Sequence, residues 1–146
     1  MSIISLIKPL RKYEDYFYRA YTYEQFFLRK KAIEIMNLAI NQPKFSKGEI
    51  SSGLIYLGML YSKSKEYKLA SNCYNQALEI MINENFKYSK NFKQIIEAFI
   101  KNEDYDRARF WLNNLIQRQS YDKRFKKLAV LEKNYNKILV RICNLI

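Results

Sequence analysis

Alanine recurs every 38 residues, at Ala32, Ala70 and Ala108, and apolar positions recur around it at the same interval. Ala20, Gly58 and Ile96 stand twelve residues before each alanine, and Tyr23, Tyr61 and Phe99 nine before. Met36, Tyr74 and Leu112 lie four after, and Ala39, Ala77 and Leu115 seven after. A period of about 20–50 residues restricts a chain to stacked copies of one supersecondary unit, because a single unit cannot cover its own apolar face. Within each copy the apolar residues follow the helical spacing, and three glycines with two prolines are too few for the tight turns of a multistranded sheet. An all-helical fold is predicted, and 146 residues suit one domain with its own core.

The middle copy is the sharpest, with Leu54, Leu57, Gly58, Tyr61, Tyr67, Ala70, Tyr74 and Ala77 along LIYLGMLYSKSKEYKLASNCYNQALEI. Small residues there let two antiparallel helices approach, and tyrosines fill the wider gaps. The third copy keeps Phe92, Phe99, Tyr105, Ala108, Leu112 and Leu115, with Ile96 at the small position and Asn102-Glu103-Asp104 as its helix stop and start. The first keeps Tyr16, Ala20, Tyr23, Ala32, Met36 and Ala39, with Arg29 where the others carry Tyr. This pattern resembles the tetratricopeptide repeat over roughly residues 13–119. The resemblance implies a short right-handed array of about three helix-turn-helix units, near 13–46, 51–84 and 89–119. Phe26 to Lys30 contains no turn-forming residue, so a single helix from about Pro9 to Ile40 is the alternative in the first copy.

Beyond Gln119-Ser120 the spacing predicts a last helix over about 121–145, with a stripe of Phe125, Leu128, Leu131, Tyr135, Ile138, Ile142 and Leu145. Such a helix would cap the open end of the core. A second strip, Leu139, Val140 and Ile146, leaves a homodimer open. Ser46-Lys47-Gly48-Glu49 has the spacing of a helix capping box.

Catalysis finds little material here. There is no histidine, Gly48, Gly53 and Gly58 form no phosphate-cradling loop, and no nucleophile motif occurs. The expectation is a non-enzyme with no cofactor and no metal. Cys73 and Cys143, 70 residues apart, suggest structural thiols. No segment approaches the roughly 18 apolar residues of a membrane span. Near the start, Ile3 to Ile7 is too short an apolar run for a secretory signal, so a cytoplasmic protein without a membrane partner is expected.

The net charge of +12 gathers at the C-terminal end, where residues 105–146 carry ten basic and three acidic side chains. Arg107, Arg109, Arg118, Lys123, Arg124, Lys126 and Lys127 form a candidate basic patch. Lys, Asn, Ile and Tyr are abundant together, however, and 18 of the 26 basic residues are Lys, which points to coding bias as a source of charge. A protein or peptide partner, acidic in part, is preferred to nucleic acid.

By resemblance, the first helix of each unit lines a groove that receives an extended peptide or a partner helix. That places Phe17, Tyr18 and Tyr21, then Ile55, Tyr56 and Met59, then Lys90, Lys93, Gln94 and Glu97 on the binding face. Several of the tyrosines are equally readable as core, and Glu97 as a solvated charge. The Lys, Asn and Arg clamp with which some family members hold a terminal carboxylate is replaced mostly by Phe, Tyr, Ile and Met, so that ligand is not expected. The function expected is a non-catalytic scaffold or adaptor. A peptide-sensing regulatory module of the kind found in bacterial regulators, or a basic nucleic-acid-binding accessory protein, are the alternatives.

Overall fold

A computed structural model of the protein describes residues 4–143, with side chains described as far as Lys137. The described residues form eight α-helices and no strand. They divide into two compact units, Met1–Glu84 and Asn85–Ile146.

The first unit holds α1 (Ile4–Ile7), α2 (Tyr13–Gln25), α3 (Arg29–Ile40), α4 (Lys47–Lys63) and α5 (Tyr67–Ile80). Sequential neighbours pack, α1 on α2, α2 on α3, α3 on α4 and α4 on α5. The break between α2 and α3 excludes one continuous helix from Pro9 to Ile40. The fourth helix begins four residues before Ser51, at the capping box. Glu49 N–H donates to Ser46 Oγ at 3.3 Å, and Ser46 N–H donates back to Glu49 Oε2 at 2.7 Å. The Ser46 N–H and the Ser46 hydroxyl, which donates to Glu49 Oε2 at 2.8 Å, hold the Glu49 carboxyl below its ordinary value, and the box satisfies donors that the helix start would otherwise leave free.

The second unit holds α6 (Asn91–Lys101), α7 (Tyr105–Gln117), two 3-10 segments at Arg118–Ser120 and Lys123–Leu128, and α8 (Ala129–Cys143). The last helix therefore starts at Ala129, not near 121. Asp122 explains the difference. Its carboxylate accepts from Arg124 N–H at 3.1 Å and from Tyr88 N–H at 3.0 Å, so the chain is anchored there before a helix can run. Phe125 and Leu128 are buried from the 3-10 segment, and Leu131 and Tyr135 from α8, which packs on α6 and α7. The remaining stripe and strip positions, Ile138, Leu139, Val140, Ile142, Leu145 and Ile146, lie outside the described side chains, as does Cys143.

The 38-residue period is written in the backbone as well as in the side chains. Phe27, Lys65 and Glu103 occupy left-handed conformations with φ of 60°, 62° and 57°. Each ends the first helix of a hairpin. The next residue's N–H reaches five residues back, from Leu28 to Tyr23, Glu66 to Tyr61 and Asp104 to Phe99, every bond at 2.9 Å. The left-handed residues donate three back, to Glu24, Ser62 and Ile100. This pair of bonds satisfies carbonyls that a helix end leaves open, and it offsets a left-handed cost of roughly 1–2 kcal/mol for a non-glycine residue.

Ala32, Ala70 and Ala108 are fully buried, as are Ala39, Ala77 and Leu115. At the pair of positions twelve before and four after each alanine, the sizes trade. Gly58 stands with Tyr74, Ala20 with Met36 and Ile96 with Leu112, the smallest residue with the largest ring. A Cβ on Gly58 would lie 2.5 Å from Tyr74 Cε1, whereas one on Gly48 would meet nothing within 4 Å. Tyr74 is walled in and cannot step aside. Gly58→Ala should therefore destabilise by about 1–3 kcal/mol, lowering the urea midpoint. Gly48→Ala should instead stabilise by up to about 1 kcal/mol. An unchanged midpoint for Gly58→Ala would show that the α4/α5 contact is looser than described.

Candidate functional site

Besides the turn at Phe26 and Phe27, the first unit exposes aromatic side chains on the face of α2 toward α1. Asp15, one turn into α2, organises it. Its Oδ2 accepts the N–H groups of Arg11 at 3.1 Å and Lys12 at 2.9 Å, and its Oδ1 meets Lys8 Nζ at 2.5 Å. An acidic residue at this helix position reaches back to free N–H groups and also favours the positive end of the helix dipole. Lys8 above all, then the two backbone donors, hold the buried Asp15 carboxyl well below the usual carboxylate range.

The same network fastens α1. Arg19 donates to the Ser5 carbonyl at 3.1 Å and to the Lys8 carbonyl, supplying donors to the end of a one-turn helix that has few of its own. Thr22 Oγ1 donates to the Tyr18 carbonyl at 2.8 Å. The Ser5 and Thr22 hydroxyls share a further hydrogen bond at 2.7 Å.

Between α1 and α2 lies a cleft of about 580 Å³. Ile4, Ser5 and Lys8 line one side, and Asp15, Phe17, Tyr18, Tyr21 and Thr22 the other. That volume falls in the range of ligand pockets, whose usual makeup is apolar walls with a few fixed polar groups. Tyr18 and Tyr21 are 57% and 39% exposed, while Phe17 is half-buried with its ring 5.1 Å from that of Tyr56.

Phe17, Tyr18 and Tyr21 are thus brought together on this cleft, and Tyr56 is not. It belongs to the core wall, and its hydroxyl donates to Glu24 Oε2 at 2.6 Å. Burial, strengthened by that acceptor, pushes the Tyr56 phenol far up, and burial also pushes Tyr13 up to about 12. Burial works against the Glu24 carboxylate as well. Lys63 Nζ, 2.5 Å away, and the Tyr56 hydroxyl outweigh it and keep Glu24 below its ordinary value. Ile55 and Met59 are half-buried on α4, outside the cleft lining. Cys73 is a half-buried thiol pushed up to about 11 by burial, which makes it a poor nucleophile.

Lys90, Lys93, Gln94 and Glu97 belong to the second unit and sit at the start and along the outer face of α6. Lys93 and Glu97 pair at 3.8 Å with both side chains largely in solvent, a contact of small energy. The basic patch is thinner than the sequence implies. Arg118 is only 8% exposed, stacks 4.1 Å over the Phe86 ring, and donates to Asn114 Oδ1 and the Tyr121 hydroxyl. It is a core residue. Arg124 is held by Asp122 at 2.8 Å and Arg107 by Asp104 at 3.0 Å. Arg109, Lys123, Lys126 and Lys127 remain exposed.

Reading the sequence did not anticipate α1 or the polar clasp that holds it. Asp15 three residues after Lys12 carried a signal, since an acid at the third helical position reaches back to the residue before the helix. Among the described residues no group of His, Cys, Asp and Glu is arranged to hold a metal, and no helix is long and apolar enough to cross a membrane.

Because its carboxyl is depressed in the folded chain, Asp15 contributes its full stabilisation above about pH 4, the ordinary aspartate value, and loses it as the pH falls through its own value. Acidification below about pH 4 should progressively weaken the hold on α1 before the rest of the first unit, and Asp15→Asn should release it at neutral pH. Faster tryptic cleavage of Asp15→Asn after Arg11 and Lys12 at neutral pH, with helicity retained, is the expected readout, and faster amide hydrogen exchange over Ile4–Ile7 reports the acid release. Equal cleavage rates in variant and parent would exclude the clasp. Compared with known proteins, the sequence matches no family model and no curated protein.

Proposed function

We propose that the chain is a short tetratricopeptide-like repeat protein that acts as a non-catalytic protein- or peptide-binding module, with the α1/α2 cleft as its receptor surface. The repeat reading is supported by three hairpin turns with the same left-handed residue and the same bonds at 38-residue spacing. The observation that carries the binding reading is the exposure of Tyr18 and Tyr21 on an open cleft whose far wall is pinned by the Asp15 and Arg19 clasps. A preformed wall lowers the ordering cost of binding, and partly exposed tyrosines supply large contact area with few rotamers. The fitting ligand is an extended or helical segment with an apolar anchor residue. The nucleic-acid alternative loses support, because Arg118 is buried and Arg107 and Arg124 are paired.

Selection from a random peptide-display library tests the cleft with no partner assumed. Peptides sharing an aromatic or aliphatic anchor should be enriched. Their affinity should fall by about tenfold or more on Tyr18→Ala with Tyr21→Ala, corresponding to about 1.5 kcal/mol or more of lost apolar contact. Both side chains are exposed, so helicity should not change. Enriched peptides that bind the double variant equally well would sink the reading.

A further inference from the structure

The turn that joins α2 to α3 is apolar where its two equivalents are polar. Phe26, Phe27 and Leu28 occupy the places held by Ser64, Lys65 and Glu66 in the second hairpin and by Asn102, Glu103 and Asp104 in the third. All three turns make the same backbone bonds, so the conformation does not require apolar side chains. Folding gains little from them either. Phe27 is 93% exposed, Phe26 53% and Leu28 44%. An aromatic residue at positive φ bears the left-handed penalty and, with its ring in water, recovers no burial.

Cations flank this tip in the sequence and on the neighbouring turn. Over residues 24–31 and 63–66, the two neighbouring turns and their flanks, Arg29, Lys30, Lys31, Lys63 and Lys65 face only Glu24 and Glu66. Arg29 Nη1 donates to the Lys63 carbonyl at 3.3 Å, which sets the two turns side by side. Lys63 and Glu24 are paired with each other at 2.5 Å and Lys31 lies 5.6 Å over the Tyr23 ring, so the positive charge offered outward is chiefly that of the exposed Lys30 and Lys65, with Arg29 beside them. We propose that this edge of the first unit docks on an anionic membrane surface, with Phe26 and Phe27 entering the boundary between headgroups and acyl chains and the lysines facing lipid phosphates. An exposed apolar tip flanked by Lys and Arg matches that layered surface, which receives an aromatic side chain without a preformed pocket. Such docking needs no spanning helix. It uses a different surface from the α1/α2 cleft and stands independently of it.

Co-sedimentation of the full chain with vesicles tests the inference. The chain should bind phosphatidylcholine vesicles containing about one third phosphatidylserine, should ignore pure phosphatidylcholine, and should be released by salt. Combining Phe26→Ser, Phe27→Lys and Leu28→Glu copies the second turn, preserving both the backbone conformation and the net charge. Vesicle binding should drop by about tenfold or more in that variant while helicity stays unchanged. A second probe is Phe27→Trp, whose emission should shift to the blue on anionic vesicles. The native Trp111, 2% exposed, already sits in an apolar site and contributes a constant background. Failure of the parent chain to sediment at low salt overturns the proposal, as does equal binding by the triple variant or an emission band of Phe27→Trp that vesicles leave unshifted. Self-association of the parent that the triple variant abolishes would assign the tip to a second copy of the chain, and an acidic polypeptide that binds in place of vesicles would assign it to a protein. Either result also overturns the membrane reading.

Discussion

Each helical hairpin depends on one residue held against its preference. A left-handed peptide at Phe27, Lys65 or Glu103 turns the chain so that the following N–H meets a carbonyl five residues back, and only then can the second helix lie along the first. None of the three is glycine, the residue that takes this conformation without steric cost. The conformation is held by the backbone bonds on either side of it, those closing the first helix and that from the fully buried alanine to the last turn residue. Packing of the two helices and closure of the turn are one event, since neither the buried alanine nor the turn carbonyl is satisfied by itself.

This coupling explains what could be read from the chain and what could not. The alanines announced themselves because close helix approach admits few side chains, and the same steric rule made Gly58 legible opposite Tyr74. The first turn was hidden, since Phe26-Phe27-Leu28 carries none of the glycine, proline or asparagine that marks a turn, and its bonds are all backbone. Arg118 was misread for a related reason. A guanidinium counted as surface charge sits over Phe86, because Asn114 and Tyr121 meet its donors inside the unit. Likewise the start of α8 was placed too early, for apolar spacing continues through Phe125 and Leu128 while Asp122 anchors that stretch in a tighter helix.

Of the candidate site, the aromatic half was visible as Phe17, Tyr18 and Tyr21, and the polar half was not. Lys8, Arg19 and Thr22 are ordinary as letters. Their value comes from convergence on a single turn of helix, where each donor of one partner matches a free acceptor of the other. Tyr56 shows the opposite error, a residue on the predicted face whose hydroxyl is spent inside the unit on Glu24.

The reciprocal sizes at Gly58 and Tyr74, Ala20 and Met36, and Ile96 and Leu112 reach beyond stability. At Gly58 the coupling is direct, since a Cβ there would lie 2.5 Å from the Tyr74 ring, so a larger residue at that position requires a smaller one at position 74. The helices of this chain are consequently not interchangeable modules. A first helix borrowed from one copy carries an obligation to its own second helix, and the smallest unit that could be duplicated, exchanged or inherited intact is the whole hairpin.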